Sequence, residues 1–190
     1  MSDITLAAAG RDITDFVRAW FEDLRAGGGR MREFLGDMPG SPAGDMATIY
    51  LLGNVDAARP DSSDEELLLY AVLQIGGQAY RDEYGDDAHL FDWETKWEYI
   101  EQCFDVVNGL TASENAQFMV RWALRRSRIR TEPEREWDRM VWEGKAPGER
   151  AAHEQKMAGI MQRELSAARL FDPDIDIDSM VMSIELDKDS

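Results

Sequence analysis

The chain has 190 residues, of which 44% are hydrophobic and 31% are charged, and its formal net charge at pH 7 is −17. This composition is typical of a globular domain and excludes an intrinsically disordered chain. The single cysteine, Cys103, excludes an internal disulfide, and no run approaches the roughly 20 apolar residues of a transmembrane helix. The amino terminus lacks the features of a signal peptide, so we expect a cytoplasmic protein that does not contact membranes.

The charge is distributed unevenly along the sequence. Residues 1–120 carry 8 Lys and Arg against 23 Asp and Glu, residues 121–170 carry 12 against 8, and residues 171–190 carry 1 against 7. Such a field selects charged partners and steers their approach without deciding the fold. The ratio of 17 Arg to 4 Lys also fits a GC-rich genome or a salt-adapted host, and under salt adaptation the acidity says nothing about partners.

The amino-terminal part of the chain is predicted to begin with an amphipathic helix. It runs from about Asp12, a residue that can cap it, to Arg25, and a loop rich in glycine and proline follows. The continuous apolar run Met46–Val55 comes next. It fits a short buried helix, but a buried strand fits nearly as well because periodicity does not separate the two.

A central helix is predicted over about Asp64–Tyr84. Ser62 or Ser63 followed by three acidic residues is a typical helix start, because carboxylates in the first turn face the positive end of the helix dipole. The helix is apolar nearly all round, as buried helices are. The pair Gly76-Gly77 within it would kink the helix or let another helix pass close by.

Four further helices are predicted downstream. The first, about Asp92–Asn108, has apolar residues at spacings of three and four. Thr111 and Glu114 form the capping box that begins the second. Thr131 opens the third, and the last covers about Glu149–Leu170.

The C-terminal segment has a different periodicity. In Asp174–Asp178 acidic and apolar residues alternate strictly, and apolar residues alternate afterwards in the opposite phase. This pattern predicts a short strand with a slip near Ser179. We therefore expect a mainly α fold: a compact domain of about six to eight helices over residues 1–170, finished by a short β-strand or extended acidic tail over residues 171–190.

Three aspartates of the tail, Asp174, Asp176 and Asp178, are the first candidate partner-binding residues. Side chains at alternate positions of a strand share one face about 6–7 Å apart, which is close to the spacing of phosphates along a nucleic-acid strand. The three carboxylates could therefore imitate a nucleic-acid backbone and occupy a basic groove of another protein. A charged edge strand that discourages aggregation is the simpler interpretation.

The same aspartates also fit part of a calcium-binding loop. With Asp174 as the first residue of an EF-hand loop, Asp176, Asp178 and Glu185 fall on further ligand positions. However, Ser179 stands where the sharp turn of the loop requires glycine, so we predict no metal site. No nucleotide-binding or hydrolase motif is present either, and we predict no catalytic residue and no cofactor.

A second group of acidic candidates lies near the end of the central helix, and its members are Asp82, Glu83, Asp86 and Asp87. These carboxylates could also meet a basic partner. A solvated acidic loop is the simpler interpretation, because connections between helices run over the surface of a protein.

One basic face interrupts the acidic sequence. Arg121, Arg125 and Arg128 lie at positions i, i+4 and i+7 of a predicted helix and therefore share one face. Guanidinium groups bind phosphate and carboxylate bidentately, which suits a small anionic ligand. The same arginines could instead pair with acidic helices of the chain itself. The negative charge elsewhere opposes direct binding of nucleic acid.

Together these patterns favour a protein-interaction module over an enzyme. We expect it to bind a basic protein surface, as an inhibitor, a phage-type antagonist or an immunity-type protein of a nucleic-acid-handling partner. Two alternatives stay open. One is an assembly subunit that forms homo-oligomers through strand pairing of its tail, and the other is a binder of a small anion.

Overall fold

Six α helices and one turn of 3-10 helix make up the described part of the chain. The computed structural model describes residues 5–26, 61–84, 93–128 and 139–186. The elements are the 3-10 turn Ala7–Ala9 and the helices α1 (Thr14–Arg25), α2 (Asp64–Tyr84), α3 (Trp93–Gly109), α4 (Ala112–Arg128), α5 (Pro147–Phe171) and α6 (Ile177–Leu186). Residues 139–142 are also helical, and none of the four segments contains a β-strand. The prediction of a mainly α, multi-helix domain is confirmed.

Two predicted elements fall partly or wholly outside these segments. The run Met46–Val55 lies outside the described residues, and so does the first part of the helix predicted to begin at Thr131. Within the described segments, no helix combines the length and the apolar composition needed to cross a lipid bilayer.

Two capping boxes fix where α2 and α4 begin. At α2 the backbone N–H of Ser63 donates to Oε2 of Glu66 at 2.8 Å, and the N–H of Glu66 donates back to the Ser63 hydroxyl at 3.2 Å. Thr111 and Glu114 make the same exchange at α4, at 2.8 and 3.2 Å. Thr111 donates hydrogen bonds to the Glu114 carboxylate from its backbone N–H and from its hydroxyl. These bonds, the backbone bond above all, hold the pKa of Glu114 below its usual value. Both predicted helix starts are confirmed.

The central position predicted for α2 is confirmed. This helix packs against α3, α4 and α5, and α4 in turn packs along α5. Every residue of α2 from 67 to 77 is buried. A helix with neighbours around most of its circumference needs apolar side chains around most of its circumference, which explains why the sequence of α2 lacks a polar face in this stretch.

The helices α2 and α3 approach each other closely at Gly76. A Cβ atom built on Gly76 would lie 2.4 Å from Cα and 2.7 Å from Sγ of Cys103. A Cβ atom built on Gly77 would lie 2.6 Å from the hydroxyl oxygen of Tyr99. Because neither glycine carries a side chain, the two helices can pack at this short distance. The close approach expected from the sequence is confirmed.

Cys103 should be inert to thiol reagents in the folded protein. Its side chain is buried at this helix crossing, and burial raises the pKa of the thiol to about 12, so the reactive thiolate is scarce at neutral pH. We expect a maleimide to label the native protein only as fast as the protein unfolds, and the denatured protein at once. Native labelling as fast as in the denatured sample would contradict the burial of Cys103.

A buried hydrogen-bond network links α2, α4 and α5. The hydroxyl of Tyr70 in α2 donates to Oε1 of Glu164 in α5 at 2.5 Å. The same hydroxyl accepts a bond from Nε1 of Trp122 in α4 at 3.3 Å. A second link joins the guanidinium of Arg163 to the backbone carbonyl of Ser62, just before α2. Buried polar groups without partners are costly, so these bonds constrain how the three helices pack.

The segment before α1 is anchored by Asn108, near the end of α3. The side-chain amide of Asn108 donates to the carbonyl of Thr5 at 2.7 Å, and its Oδ1 accepts from the N–H of Ala7 at 2.8 Å. The backbones of Leu6 and Arg11 exchange two hydrogen bonds, which turns the segment back on itself. The Leu6 side chain is fully buried, so the segment is part of the core.

The C-terminal segment is a helix, and the strand predicted for it is wrong. Asp176 caps α6 (Ile177–Leu186), because its Oδ1 accepts a hydrogen bond from the N–H of Ser179 at 3.0 Å. Ile177 is buried in the core, and Val181, one turn later, packs against the core half-buried. Apolar residues at helical spacing can bury one face, and this burial prevails over the alternating pattern of the sequence.

Candidate functional site

The three tail aspartates are exposed, but they do not line one face of a strand. Asp174 lies in the turn after α5, Asp176 is the cap of α6, and Asp178 lies in the first turn of α6. Phosphate mimicry depended on the spacing of side chains along a strand. Because these residues do not form a strand, the predicted geometry is wrong. Each carboxylate nevertheless lies on the surface, where it can contact a partner.

The calcium-loop register fails for the same reason. Residues 177–186, which include Glu185, form α6 instead of the greater part of a loop. An EF-hand loop must turn sharply to bring its ligands together, and a helix holds those positions apart. Among the side chains of the described segments, no group of three or more His, Cys, Asp or Glu is arranged to hold a metal ion.

The second acidic group lies at the C-terminal end of α2. Asp82 and Glu83 are exposed, and Oδ1 of Asp82 accepts a hydrogen bond from Nε2 of Gln78 at 2.8 Å. Asp86 and Asp87 lie outside the described residues. Asp82 and Glu83 therefore stay candidates for contact with a partner only because their side chains are exposed.

The arginine face lies on the solvent side of α4. Arg121 and Arg125 are exposed, whereas the neighbouring Val120 and Leu124 are buried. Neither arginine makes an ion pair with another described residue. The side chain of Arg128 lies outside the described part of the chain. The two described guanidinium groups are thus accessible to an anion from solvent.

An acidic stripe runs along α3. We give this name to Glu94, Glu98, Glu101 and Asp105, which follow one another at spacings of four, three and four residues and therefore share one helix face. Glu101 is half-buried and the other three are exposed. The one basic residue of α3, Lys96, is buried on another side of the helix. The stripe therefore presents negative charge without a positive residue of its own helix between its members.

An aromatic groove opens between α1 and α3, next to the acidic stripe. The ring of Phe21 in α1 makes edge-to-face contacts with Trp93 and Trp97 of α3, at centroid separations of 5.6 and 4.9 Å. These three rings line the groove together with the first three residues of the acidic stripe, and its volume is about 340 Å³. The groove is thus apolar along its walls and acidic along its rim.

One positive side chain also lines the aromatic groove. Arg25 of α1 is 57% exposed, and it makes a long ion pair with Glu22 of its own helix, at 3.8 Å. On the opposite side, Oε1 of Glu101 accepts a hydrogen bond from Nε1 of Trp97 at 2.7 Å, which fixes that carboxylate beside the indole ring. Among the described lining residues, three carboxylates against one guanidinium give the groove a negative lining.

The aromatic cluster already holds one cation of the protein itself. Nζ of Lys96 lies 4.7 Å from the centroid of the Trp93 ring, although Lys96 is almost completely buried. The face of an indole ring attracts cations through its quadrupole, most strongly where water is excluded. In this contact the ring of Trp93, one of the three that line the groove, lies against a positive charge.

Neither the acidic stripe nor the aromatic groove was predicted from the sequence. The signal for the stripe was present, because four carboxylates recur on one face of α3, beside its apolar face. The groove had no such signal, since it depends on Phe21 of α1 meeting two tryptophans that are distant in the sequence. Hydrophobic spacing alone predicts that these rings are buried and does not predict which of them meet.

The aromatic groove with its acidic rim is the candidate functional site. Its rings can cover the apolar part of a ligand, and its carboxylates favour a positive group. Its described lining residues are phenylalanine, tryptophan, glutamate and arginine. No known protein family, curated protein or solved structure matches the chain.

Proposed function

We propose that the protein is an acidic interaction module that binds a basic surface of another protein. The observation that supports this proposal is the acidic stripe of α3, whose four carboxylates lie side by side next to the aromatic groove. Proteins that handle nucleic acids carry the basic surfaces that such a site fits. We therefore propose an inhibitor, an antagonist or an immunity-type protein of a partner from that class.

Charge and apolar surface contribute differently to the proposed binding of a basic partner. The net charge of −17 gives the molecule a negative field that attracts basic proteins and speeds their encounter. Exposed charges of this kind contribute more to association rate and specificity than to affinity. Trp93, the half-buried tryptophan of the groove, supplies the apolar contact, because tryptophan is enriched among the residues that dominate binding energy at interfaces.

Affinity capture from an extract of the native host tests the proposal. The wild type is compared with the variant Glu94→Gln/Glu98→Gln, which removes two charges of the acidic stripe and nearly preserves side-chain size. We expect the wild type to retain a basic protein at low salt. The variant should retain at most about one fifth of that amount. High salt should release the partner, because screening weakens attraction between exposed charges.

A matched control removes two charges elsewhere. The variant Glu143→Gln/Glu154→Gln has the same net charge as the stripe variant, but neither residue lines the aromatic groove. Equal losses in the two variants would mean that total charge, and not the stripe, governs binding. If no basic protein is retained at low salt by the wild type, the proposed function is wrong.

The exposed arginine face favours a second candidate, the binding of an anion. In the same capture experiment, Arg121→Gln/Arg125→Gln should still retain the basic partner. Loss of the retained molecule in this variant, with retention in the stripe variant, would favour an anionic ligand. Retention of untagged copies of the chain would indicate a homo-oligomer, although strand pairing does not explain one because the tail forms α6.

A further inference from the structure

Size, walls and rim of the aromatic groove all point to a single cationic side chain as its ligand. Its volume of about 340 Å³ is at the small end of the range for ligand sites, which suits one side chain better than a large cofactor. Its walls are the half-buried indole of Trp93 and the buried rings of Phe21 and Trp97, and three carboxylates of the described residues line its rim. Aromatic faces attract cations and carboxylates pair with them, so walls and rim favour the same charge.

We infer that the aromatic groove binds an arginine side chain presented by the basic partner. This inference rests on the proposed function and names the group that the site recognises. Arginine fits better than lysine, because its planar guanidinium stacks on rings, bonds carboxylates bidentately and is weakly hydrated. Glu94 and Glu98, both exposed on the rim, are the carboxylates that pair with it.

The contact between Lys96 and Trp93 supports a cation rather than a neutral apolar group. A buried ammonium lies 4.7 Å from the ring centroid, a distance at which an indole ring attracts a cation. Trp93 also lines the groove, so its ring is accessible from the groove side. The rim carboxylates offset the repulsion between Lys96 and an incoming guanidinium.

Arg25 makes the charge of the ligand testable, because it is the positive side chain among the described residues that line the groove. Its ion pair with Glu22 is long, at 3.8 Å, and its side chain is more than half exposed. Arg25 repels a cationic ligand, whereas it would hold an anionic one. Replacing Arg25 with glutamine therefore changes the affinity in opposite directions for the two classes of ligand.

The test is a titration of the full chain followed by NMR of the indole N–H groups. The signals of Trp93 and Trp97 are assigned with the variants Trp93→Phe and Trp97→Phe. The probes are N-acetyl-arginine methylamide, its neutral isostere N-acetyl-citrulline methylamide, and N-acetyl-lysine methylamide. We expect saturable shifts of both signals with the arginine probe, binding about two- to fivefold weaker with the lysine probe, and no saturation with citrulline.

Variants of the rim give a second measurement. Glu98→Gln should weaken binding of the arginine probe about two- to fivefold, and Arg25→Gln should strengthen it by a similar factor. Glu143→Gln, which lies outside the groove lining, should change neither the signals nor the affinity. Absence of saturation with arginine, equal binding of citrulline, or weaker arginine binding in Arg25→Gln would overturn the inference.

The two proposals fail separately. If host capture depends on the acidic stripe while the indole signals do not respond to the arginine probe, the interaction module stands and the arginine site is wrong. If the arginine probe saturates the groove but the wild type retains no basic host protein, the arginine site stands and the proposed function is wrong.

Discussion

Replacing Gly76 with alanine is expected to destabilise the protein by about 3 kcal/mol, although alanine is the better helix former. The added methyl group would lie 2.4 Å from Cα of Cys103, a backbone atom that cannot rotate away. The helices α2 and α3 would have to separate and would leave voids in the core. Urea unfolding measures the change in the free energy of unfolding, and an unchanged midpoint would contradict the close helix crossing.

Gly159→Ala is the matched control for this substitution. Gly159 lies inside α5, and a Cβ atom built on it meets nothing within 4 Å. We expect alanine there to stabilise the protein by about 0.5–1 kcal/mol, because alanine loses less backbone entropy than glycine in a helix. Opposite signs at the two positions would separate the steric contact at Gly76 from helix propensity. Destabilisation at both would argue against that explanation.

The second large effect is expected from Tyr70→Phe, which removes one hydroxyl from the network between α2, α4 and α5. Glu164 would lose the hydrogen bond that it accepts at 2.5 Å, and the indole N–H of Trp122 would lose its acceptor at 3.3 Å. Both groups are at least partly buried, so we expect a loss of about 2–3 kcal/mol in the free energy of unfolding. Chemical denaturation at constant pH measures it.

Tyr99→Phe provides the comparison at a second buried tyrosine. Apart from its interaction with the weakly polar thiol of Cys103, the Tyr99 hydroxyl has no hydrogen-bond partner among the described groups. Its removal deprives only a thiol, a weak hydrogen-bonding group, of this contact, so we expect a change within about 1 kcal/mol, or a small stabilisation. The ring keeps its edge-to-face contact with Tyr80, at 5.2 Å between centroids. A loss as large as that of Tyr70→Phe would mean that the cost comes from repacking rather than from hydrogen bonds.

The helices were predictable from the sequence where local signals coincide. The bounds of α2 are those predicted, because Ser63 and Glu66 mark its start and apolar residues continue around the helix. At α1 the N-cap residue is Ile13 instead of the predicted Asp12, and Asp12, one residue earlier, accepts a hydrogen bond from the N–H of Thr14 at 3.0 Å. Capping depends on residues only a few positions apart, so a sequence can specify it without knowledge of the fold.

The tail shows where a local pattern misleads. Alternation over 174–178 is a strand signal, but Ile177 and Val181 also have the spacing of one helix face. The choice between the two depends on what the segment packs against, and α6 packs against α4. Asp176 was the local signal that the prediction overlooked. Aspartate is a favoured N-cap residue, and its carboxylate accepts a hydrogen bond from the backbone N–H of Ser179 in the first turn of α6.

The candidate site was the least predictable part. Uneven charge along the sequence led to the tail and to the end of α2, whereas the clearest acidic surface of the described residues lies on α3. Net charge by segment does not reveal this surface, because it requires sorting residues by helix face. The second role of Asn108 was not predictable either. Its position marks the end of α3, but its side chain also bonds the backbone on both sides of Leu6, which is distant in the sequence.

The anchoring of the first residues by Asn108 affects how the chain matures during synthesis on the ribosome. α1 is made early, but its ring contacts with Trp93 and Trp97, and the anchor itself, are made much later. At typical elongation rates, roughly 4–17 s separate the synthesis of α1 from that of Asn108. Until then the ring of Phe21 lacks these contacts, so the apolar face of α1 stays uncovered in the nascent chain.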